Sequence, residues 1–357
     1  MAQIVTLKVH PSTMTHLDLT DAALAAQAVL HPERFRGKSI LVAGASGLIG
    51  SLTVRTLHEL NRSQGLGITI TAASRSREKL LTRFADMDDV FVLGLDVAAP
   101  GTALDGRNFD FILHAASQAD PASFKKYPAE TMLTNIEGTK NLLDVARQIP
   151  DSTLVYVSSG EVYGETTDDG LMSEGMSGFV DPTSPRSCYP TAKRASETLC
   201  VSYAEEYGVD ALIVRPSHVY GPGFRPSDSR ISADFFVKAL RGEDIVMRSP
   251  RSDWRTYVYV SDCVSAILSV ATSGVTAQAY NVTNSDNLVT MRHFAQQIAT
   301  EGHVKFTAPA ESPHASGEMH RASALNDAKL RSLGWLPQVS FDDGVRRTFA
   351  VLRAEAE

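Results

Sequence analysis

The chain has few cysteines: among its 357 residues only Cys188, Cys200 and Cys263 carry a thiol. Three cysteines are too few for a disulfide framework, and their positions lack the paired spacing that zinc ligands show. We therefore expect free thiols, a reducing compartment and no metal site. Cys188 lies next to a tyrosine motif described below, and its small size predicts a packing role.

Long apolar runs are also missing, since no stretch approaches the roughly 20 residues that a membrane-spanning helix needs. The first residues, "MAQIVTLKVHPSTM", have neither the basic start nor the apolar centre of a signal peptide. Acidic residues outnumber basic ones, and the formal net charge is −7. This charge gives no electrostatic reason to expect nucleic acid or an anionic membrane as a partner. The composition predicts an ordinary globular protein, which we expect to be cytoplasmic.

Apolar runs alternate with helix-compatible stretches as far as Pro216. The helix-compatible stretches include 131–149 and 190–207, and strands are predicted at 40–42, 68–73, 90–96, 109–116, 153–159 and 210–216. Such alternation is typical of an α/β protein with a Rossmann-type, doubly wound parallel sheet.

The pattern becomes less regular after Pro216, which predicts a change of domain. We expect an N-terminal extension (1–37) that contains a short amphipathic helix, followed by a Rossmann NAD(P)-binding domain (38–215). The remainder (216–357) is expected to be mainly a smaller C-terminal substrate-binding lobe, with a segment at about 255–275 that returns to the Rossmann domain.

Three glycines, Gly44, Gly47 and Gly50, directly follow the first predicted core strand. Small residues at this place let backbone N–H groups approach a pyrophosphate at a helix N-terminus. A tight turn can need glycine for its geometry alone, but the strand, turn and helix context favours a nucleotide site. The motif predicts a dinucleotide site that also includes Ser46, Leu48 and Ile49.

The second predicted strand ends near Ser74, where a site for NAD would carry an acidic residue. The serine is followed by Arg75 and Arg77, which suit the 2′-phosphate of NADP unless both are only solvated residues at a helix start. We therefore expect NAD or NADP, with Arg75 favouring NADP. Asp96 and Val97, which follow the third predicted strand, are expected at the adenine side, where Asp96 can receive the adenine amino group.

The segment "YPTAK" places Tyr189 four residues before Lys193. If a helix begins near Pro190, both side chains lie on one face, and the lysine can lower the pKa of the phenol. A phenolate beside a nicotinamide can take a proton from a substrate hydroxyl as hydride leaves the same carbon, while a serine hydroxyl orients that oxygen. Ser159, in "SSGEVYG", is the predicted serine. A surface pair would explain the tyrosine and lysine alone, but not their combination with the glycine turn.

From about Lys38 onward, the sequence resembles the extended short-chain dehydrogenase/reductase family, and specifically its nucleotide-sugar epimerases, dehydratases and decarboxylases. The stretches that carry the resemblance, in the family's order, are "GASGLIG", "DFILHAAS", "NIEGTKNLLDVA", "VSSGEVYG", "YPTAK", "RPSHVYGPG", "WRTYVYVSD", "AYNVTNSDNLVT" and "LRSLGWLP".

The resemblance implies roles for individual residues. Ser159, Tyr189 and Lys193 would be the catalytic trio. The other implied positions are a wall of the cofactor site (His114, Ala115 and Ala116), a supporting residue (Asn135) and substrate contacts (Ser159, His218 and Arg255). His218 stands where many members have asparagine, and a lone histidine predicts no metal. The predicted helices at 131–149 and 190–207 resemble the pair through which many members form a homodimer.

The reaction depends on the residues after Ser159. The family's common step oxidises C4 of the sugar, and the resulting ketone acidifies C5 and makes a C5 carboxylate a good leaving group as CO₂. Dehydratases usually carry Asp-Glu where this chain has Gly160 and Glu161, so loss of water is disfavoured. Decarboxylases keep the glutamate and need an arginine for the substrate carboxylate, for which Arg255 is available.

The resemblance therefore predicts a nucleotide-sugar enzyme that decarboxylates an NDP-uronic acid, with Glu161 among its catalytic residues. An NDP-sugar 4-epimerase is the alternative, followed by an NADP-dependent ketosugar reductase and a non-catalytic NAD(P)-binding sensor. In those cases Glu161 could be a structural residue that caps a turn. The base and the sugar are expected to be selected by loops such as 165–187 and 223–231.

Overall fold

The computed structural model describes residues 16–99, 104, 106–119, 121–166, 170–224, 230–248, 253–310 and 324–354. The first part of the predicted N-terminal extension (1–15) and parts of the two predicted selective loops (167–169 and 225–229) lie outside the described residues.

The strands, in chain order, are β1 (Ser39–Ala43), β2 (Thr69–Ser74), β3 (Val90–Gly94), β4 (Phe111–His114), β5 (Thr153–Val157), β6 (Asp210–Pro216), β7 (His218–Tyr220), β8 (Ile245–Val246), β9 (Trp254–Tyr259), β10 (Ala279–Val282), β11 (Leu288–Thr290) and β12 (Phe306–Thr307). The α-helices are α1 (His16–Ala28), α2 (Leu48–Gln64), α3 (Arg77–Arg83), α4 (Pro121–Lys126), α5 (Pro128–Gln148), α6 (Cys188–Tyr207), α7 (Ile231–Leu240), α8 (Val260–Ser273), α9 (Met291–Gly302), α10 (Ala328–Arg331) and α11 (Phe341–Ala354).

Seven of the described strands form one parallel sheet in the order β10-β6-β5-β4-β1-β2-β3. The predicted α/β Rossmann-type sheet is confirmed, and each strand predicted before Pro216 is present with small differences at its ends. Strands β2 and β3 lie on one side of β1, and β4, β5 and β6 lie on the other, so the strand order reverses at β1. The crevice between β1 and β4 is therefore the topological switch point. Folds of this kind bind ligands there, at the carboxyl ends of the strands.

The central strands are apolar on both faces because helices cover both faces of the sheet. On one side, Leu41 and Ile112 pack with Leu142 of α5 and Cys200 of α6. On the other side, alternate strand residues belong to a larger core shared with α1, α2 and α8, which includes Ile40, Val42, Val155, Leu57 and Ile267. This double-sided packing fixes the strand ends that form the site.

The C-terminal part of the chain also contributes to the main sheet. Helix α8 packs against α2, β5 and β6, and β10 pairs with β6 at the edge of the sheet. The segment that reaches the sheet therefore continues to Val282, beyond the predicted 255–275. Two smaller sheets, β11-β9-β7 and β12-β8, lie in the C-terminal region.

The helix predicted in the N-terminal extension is present as α1, and it packs against α2 and α8. Its residues Ala22, Ala25 and Ala26 are buried. The hydroxyl of Tyr259 donates a hydrogen bond of 2.8 Å to the carboxylate of Asp21. The described part of the extension is thus built into the core.

Candidate active site

A cavity of about 900 Å³ lies at the carboxyl ends of the sheet strands. It is lined by the catalytic, cofactor-binding and substrate-binding residues predicted from the sequence, namely Gly44, Ser46, Gly47, Leu48, Ile49, Gly50, Ser74, Arg75, Asp96, Val97, Ala115, Ala116, Ser159, Glu161, Tyr189, Lys193, His218 and Arg255. The fold therefore brings the glycine turn, the tyrosine motif and the C-terminal contacts into one place, while their individual roles stay predictions.

The glycine turn is packed backbone against backbone. Gly44 has a positive φ of 93°, and a Cβ atom on it would lie 2.6 Å from backbone atoms of Ala115 and Ala116. A Cβ on Gly50 would lie 2.3 Å from the carbonyl oxygen of Gly44. The close approach of β1, β4 and the start of α2 leaves the first-turn N–H groups of α2 at the cavity wall, where such groups bind phosphate. These residues fit the pyrophosphate of a nicotinamide dinucleotide.

The end of β2 forms the part of the wall where the adenosine ribose of a dinucleotide is expected. Ser74 is buried, and its hydroxyl donates to the carbonyl of Ser76 at 3.2 Å. Arg75 and Lys79 are exposed and line the cavity, whereas Arg77, which the sequence grouped with Arg75, does not line it. Lys79 was missed in the sequence because its place on the wall depends on how α3 turns away from the strand.

The part of the wall where the adenine is expected carries the predicted acidic residue. Asp96 lies on the cavity wall after β3, and its carboxylate accepts a hydrogen bond of 3.1 Å from the backbone N–H of Ala98. Val97 lines the wall beside it and is buried. Asp96 and Val97 come directly after β3, which pairs with the β2 strand that ends at Ser74. The residues predicted to bind the cofactor therefore lie side by side on one wall of the cavity.

Helix α6 carries the tyrosine motif and begins at Cys188, close to the predicted start at Pro190. Tyr189 and Lys193 are both buried and both face the cavity. Ser159 follows β5 and also lines the cavity, and its hydroxyl accepts a hydrogen bond of 3.2 Å from the backbone N–H of Glu161. The spacing of four residues thus produces the shared face that the sequence predicts, and the serine reaches it from the adjacent strand end.

Two neighbours of the tyrosine hold its ring in place. Phe124 stacks on Tyr189 with ring centroids 4.5 Å apart and planes 20° apart. Cys188 is buried in the same small cluster, which fits its predicted packing role. The ring is therefore fixed by apolar contacts that do not involve the hydroxyl.

Burial raises the pKa of Tyr189 above its ordinary value, and the Glu161 carboxylate raises it further. The hydroxyl of Ser159 and the guanidinium groups of Arg230 and Arg186 lower this pKa and offset only part of the rise. The sequence predicted that Lys193 lowers this pKa, whereas the net shift in the structure is upward. Desolvation of the phenolate outweighs the attraction of nearby cations.

Lys193 is held by the strand beside it. Its ammonium donates a hydrogen bond of 2.8 Å to the carbonyl of Val157 and lies 5.6 Å from the ring centroid of Tyr189. Burial lowers the pKa of Lys193 to about 7, and the carboxylate of Glu197, one turn later on α6, partly offsets this fall. Glu197 is itself paired with Arg215 at 2.6 Å. Sequence reasoning missed this pair.

Glu161 meets an arginine that the sequence did not point to. One guanidinium nitrogen of Arg186 lies 2.9 Å and 3.2 Å from the two carboxylate oxygens. The same guanidinium lies 5.2 Å from the ring centroid of Phe124. Arg186 precedes Tyr189 by three residues, and Arg186, Glu161 and Tyr189 all line the cavity.

Arg255 and His218 face the cavity from β9 and β7. The Arg255 guanidinium is 3.9 Å from the carboxylate of Asp253, and its buried Nε has no hydrogen-bond partner among the described residues. Burial lowers the pKa of His218 to about 3, and Arg255 adds to the effect. His218 is therefore neutral at ordinary pH, and Arg255 can donate hydrogen bonds to an anionic group.

Of the supporting residues implied by the resemblance, Asn135 and His114 are buried and do not line the cavity. The side chain of Asn135 accepts a hydrogen bond of 2.9 Å from Ser117, which does line it. Burial lowers the pKa of His114 to about 3, so its imidazole is neutral. Both residues support the wall from behind.

The described part of the chain has no cluster of three or more histidine, cysteine, aspartate or glutamate residues that could hold a metal ion. Its described helices include none that is long and apolar enough to cross a membrane.

Comparison with known proteins identifies relatives over most of the chain. UDP-glucuronic acid decarboxylase 1 of Xenopus tropicalis is 28% identical over 325 residues, which cover 90% of this chain and 73% of the relative. UDP-glucuronic acid decarboxylase 3 of Arabidopsis thaliana is 29% identical over 309 residues, which cover 86% of each chain.

A solved UDP-glucose 4-epimerase of Thermus thermophilus in complex with NAD is 26% identical, with a TM-score of 0.72 and coverage of 88% of this chain and 99% of the epimerase. A family model described as the NAD dependent epimerase/dehydratase family matches residues 40–283. These findings confirm the predicted enzyme class and its nicotinamide cofactor. The chain belongs to the NAD dependent epimerase/dehydratase family.

Proposed function

We propose that this enzyme decarboxylates a nucleotide-linked uronic acid through a 4-keto sugar. The observation that carries the proposal is the carboxylate of Glu161 on the cavity wall, close to Tyr189 and Ser159, with Gly160 in place of a second acid. The relatives that are named UDP-glucuronic acid decarboxylases support the proposal and indicate a UDP-linked uronate as the first substrate to test.

The first step assigns Tyr189 as the base for the sugar C4 hydroxyl. Ser159 lines the same cavity and its hydroxyl lowers the pKa of the phenol, so we assign Ser159 to orient the same substrate oxygen. The chemistry that the nicotinamide supplies when bound is the reversible uptake of a hydride. The amino group of Lys193 is held on the carbonyl of Val157, 5.6 Å from the ring centroid of Tyr189.

The second step uses the ketone at C4. The C5 carboxylate is then β to a carbonyl group, and the electron pair of the C5–carboxyl bond can move into the ketone as CO₂ leaves. We assign Glu161 to position the reacting carboxylate and Arg255 to bind it, since a guanidinium donates paired hydrogen bonds to a carboxylate. After CO₂ has left, C5 takes a proton from solvent, the hydride removed in the first step returns to C4, and Tyr189 returns its proton to the C4 oxygen.

Loss of water is the step that this site is not equipped to catalyse. Gly160 has no side chain, and a Cβ atom there would lie 3.2 Å from a methyl group of Leu325. An aspartate at this position would require Leu325 to move. The acid that would protonate a departing C6 hydroxyl is therefore missing from the position next to Glu161.

Glu161→Gln tests the proposal directly. The variant should keep cofactor binding and the oxidation of the sugar but slow the release of CO₂, because the change affects the step after oxidation. The absorbance of reduced nicotinamide should then build up during turnover of a nucleotide-linked uronate. In a 4-epimerase, the second candidate, Glu161 has no role in the chemistry, and turnover of a neutral nucleotide sugar would stay within a few-fold of wild type.

Arg255→Ala is the companion variant. If Arg255 binds the substrate carboxylate, the change should weaken the binding of a nucleotide-linked uronate much more than the binding of the corresponding neutral sugar. An equal loss for both ligands would place Arg255 on the diphosphate instead.

We also propose a homodimer formed through α5 and α6. These helices pack against each other and expose apolar side chains, namely Leu133 (52% exposed), Val201 (43%) and Tyr207 (39%). Light scattering at micromolar concentration measures the mass, and a monomer would contradict the proposal.

The division into a Rossmann domain and a C-terminal substrate lobe is likewise our proposal, supported by the position of His218 and Arg255 on the cavity. The cytoplasmic location stays a prediction.

A further inference from the structure

The charged pair of Arg186 and Glu161 is the feature of the cavity that the mechanism above leaves unexplained. Both side chains line the cavity, with exposed fractions of 57% for Arg186 and 40% for Glu161. Among the described residues, Arg186 is the cation that pairs with this carboxylate. A pair so open to solvent contributes little to folding stability, which directs attention to its effect on a ligand.

The orientation of Arg186 is fixed from two sides. Its guanidinium contacts the Glu161 carboxylate at 2.9 Å and lies 5.2 Å from the ring of Phe124, which in turn stacks on Tyr189. Arg186 also lies in a short 3₁₀ helix, Pro185–Ser187, directly before α6. The cation is therefore anchored to the same element that carries the catalytic tyrosine.

A uronate carboxylate bound at this corner would lie beside Glu161, and two like charges in a partly desolvated site repel each other. Pairing with Arg186 cancels the charge of Glu161 before the substrate arrives. A neutral sugar would be unaffected by this cancellation, because it brings no charge to the site.

We infer that Arg186 is a positioning residue that holds and neutralises Glu161, and thereby admits an anionic sugar beside that carboxylate. This inference rests on the proposed function, since it assigns a reason for a uronate to be accepted. It assigns to Arg186 the control of which sugar binds, and leaves the binding of the substrate carboxylate itself to Arg255.

The binding test uses four proteins that all carry Tyr189→Phe, so that turnover does not interfere. They are this parent, the parent with Arg186→Gln, the parent with Glu161→Gln, and the parent with both changes. Calorimetry with NAD present measures the affinity of each protein for UDP-glucuronate and for UDP-glucose.

Arg186→Gln should lower the affinity for UDP-glucuronate about tenfold, because the Glu161 carboxylate is then unpaired and faces the carboxylate of the ligand. Its affinity for UDP-glucose should stay within about twofold. Adding Glu161→Gln removes the repelling charge, so the double variant should recover the affinity of the parent for UDP-glucuronate. Failure to recover, or an equal loss for both sugars, overturns the inference, because Arg186 would then bind the ligand directly or only shape the wall.

Two controls separate charge from structure. Arg186→Lys keeps the positive charge and should retain most of the affinity for UDP-glucuronate. Arg241→Gln changes an exposed arginine that does not line the cavity, and neither sugar should be affected. A loss in Arg186→Lys as large as in Arg186→Gln would contradict a role for the charge.

A pH profile gives a second readout. The charged groups that face Tyr189 are Glu161, Arg186, Arg230 and Lys193. Because Glu161 raises and Arg186 lowers the pKa of Tyr189, Arg186→Gln should move the rise of kcat/KM to higher pH and Glu161→Gln should move it to lower pH. Shifts in the same direction would contradict the inference.

Failure of this inference can be told apart from failure of the proposed function. Absence of CO₂ release by the wild-type enzyme refutes decarboxylation. The role of Arg186 is decided separately, by the affinities of the four binding variants for UDP-glucuronate, whichever reaction the enzyme catalyses.

Discussion

Tyr189→Phe separates catalysis from folding because the structure assigns different contacts to the ring and to the hydroxyl. The ring is 6% exposed and stacks on Phe124 at 4.5 Å, and phenylalanine keeps both features. The hydroxyl is the group whose pKa is shifted by Glu161 and Ser159, and phenylalanine lacks it. Removing one hydroxyl should change the free energy of unfolding by about 1 kcal/mol or less, the net value of one hydrogen bond. Losing the general base should reduce kcat ~10²-fold or more, which corresponds to about 2.7 kcal/mol of activation free energy.

The assay compares kcat for a nucleotide-linked uronate, the thermal midpoint and the affinity for NAD in wild type and variant. Tyr203→Phe is the matched control: it lies on the same helix, and its hydroxyl donates a 2.8 Å hydrogen bond to Asp144. Tyr203 does not line the cavity, so the activity of Tyr203→Phe should be unchanged although this variant loses a hydrogen bond. If Tyr189→Phe kept more than about a tenth of the wild-type activity, the assignment of Tyr189 as the base would be refuted.

Three further predictions follow from the walls of the cavity and from the surface. Gly50→Ala places a methyl group 2.3 Å from a backbone oxygen of the glycine turn, so NAD binding measured by fluorescence should be lost; normal binding would contradict the packing described. Arg75→Ala should weaken the binding of 2′,5′-ADP while Arg77→Ala should not, and equal effects would remove the argument for NADP. Leu133→Asp places a charge on the exposed apolar face of α5 and should convert the proposed dimer into a monomer by light scattering.

The sheet could be predicted from the sequence because its strands are short apolar runs that end in recognisable residues. The glycine turn after β1 and the four-residue spacing of Tyr189 and Lys193 are local features of the sequence. Each depends on the conformation of a short segment, a tight turn or one helical turn, and can therefore be predicted. The helix in the extension was also expected. Its burial against α2 and α8 was not, because packing partners distant in the sequence leave no local pattern.

The parts of the site that sequence reasoning missed depend on contacts between distant segments. Arg186 contacts Glu161, although the two residues are 25 positions apart in the sequence. The path of the loop between them is set by tertiary structure. Lys79 lines the cavity because of the direction in which α3 leaves the end of β2. The net upward shift of the Tyr189 pKa was not predicted because it depends on desolvation, and burial of the phenol cannot be read from the spacing of two residues.

The most direct measurement of the central claim is the mass of the product when wild-type enzyme with NAD is incubated with UDP-glucuronate. The account predicts a nucleotide sugar that is lighter by one CO₂, with the gas released in equal amount, because Glu161 and Arg255 lie where they can serve the C5 carboxylate. A product of unchanged mass that separates as an epimer, or one that has lost water instead of CO₂, would contradict it.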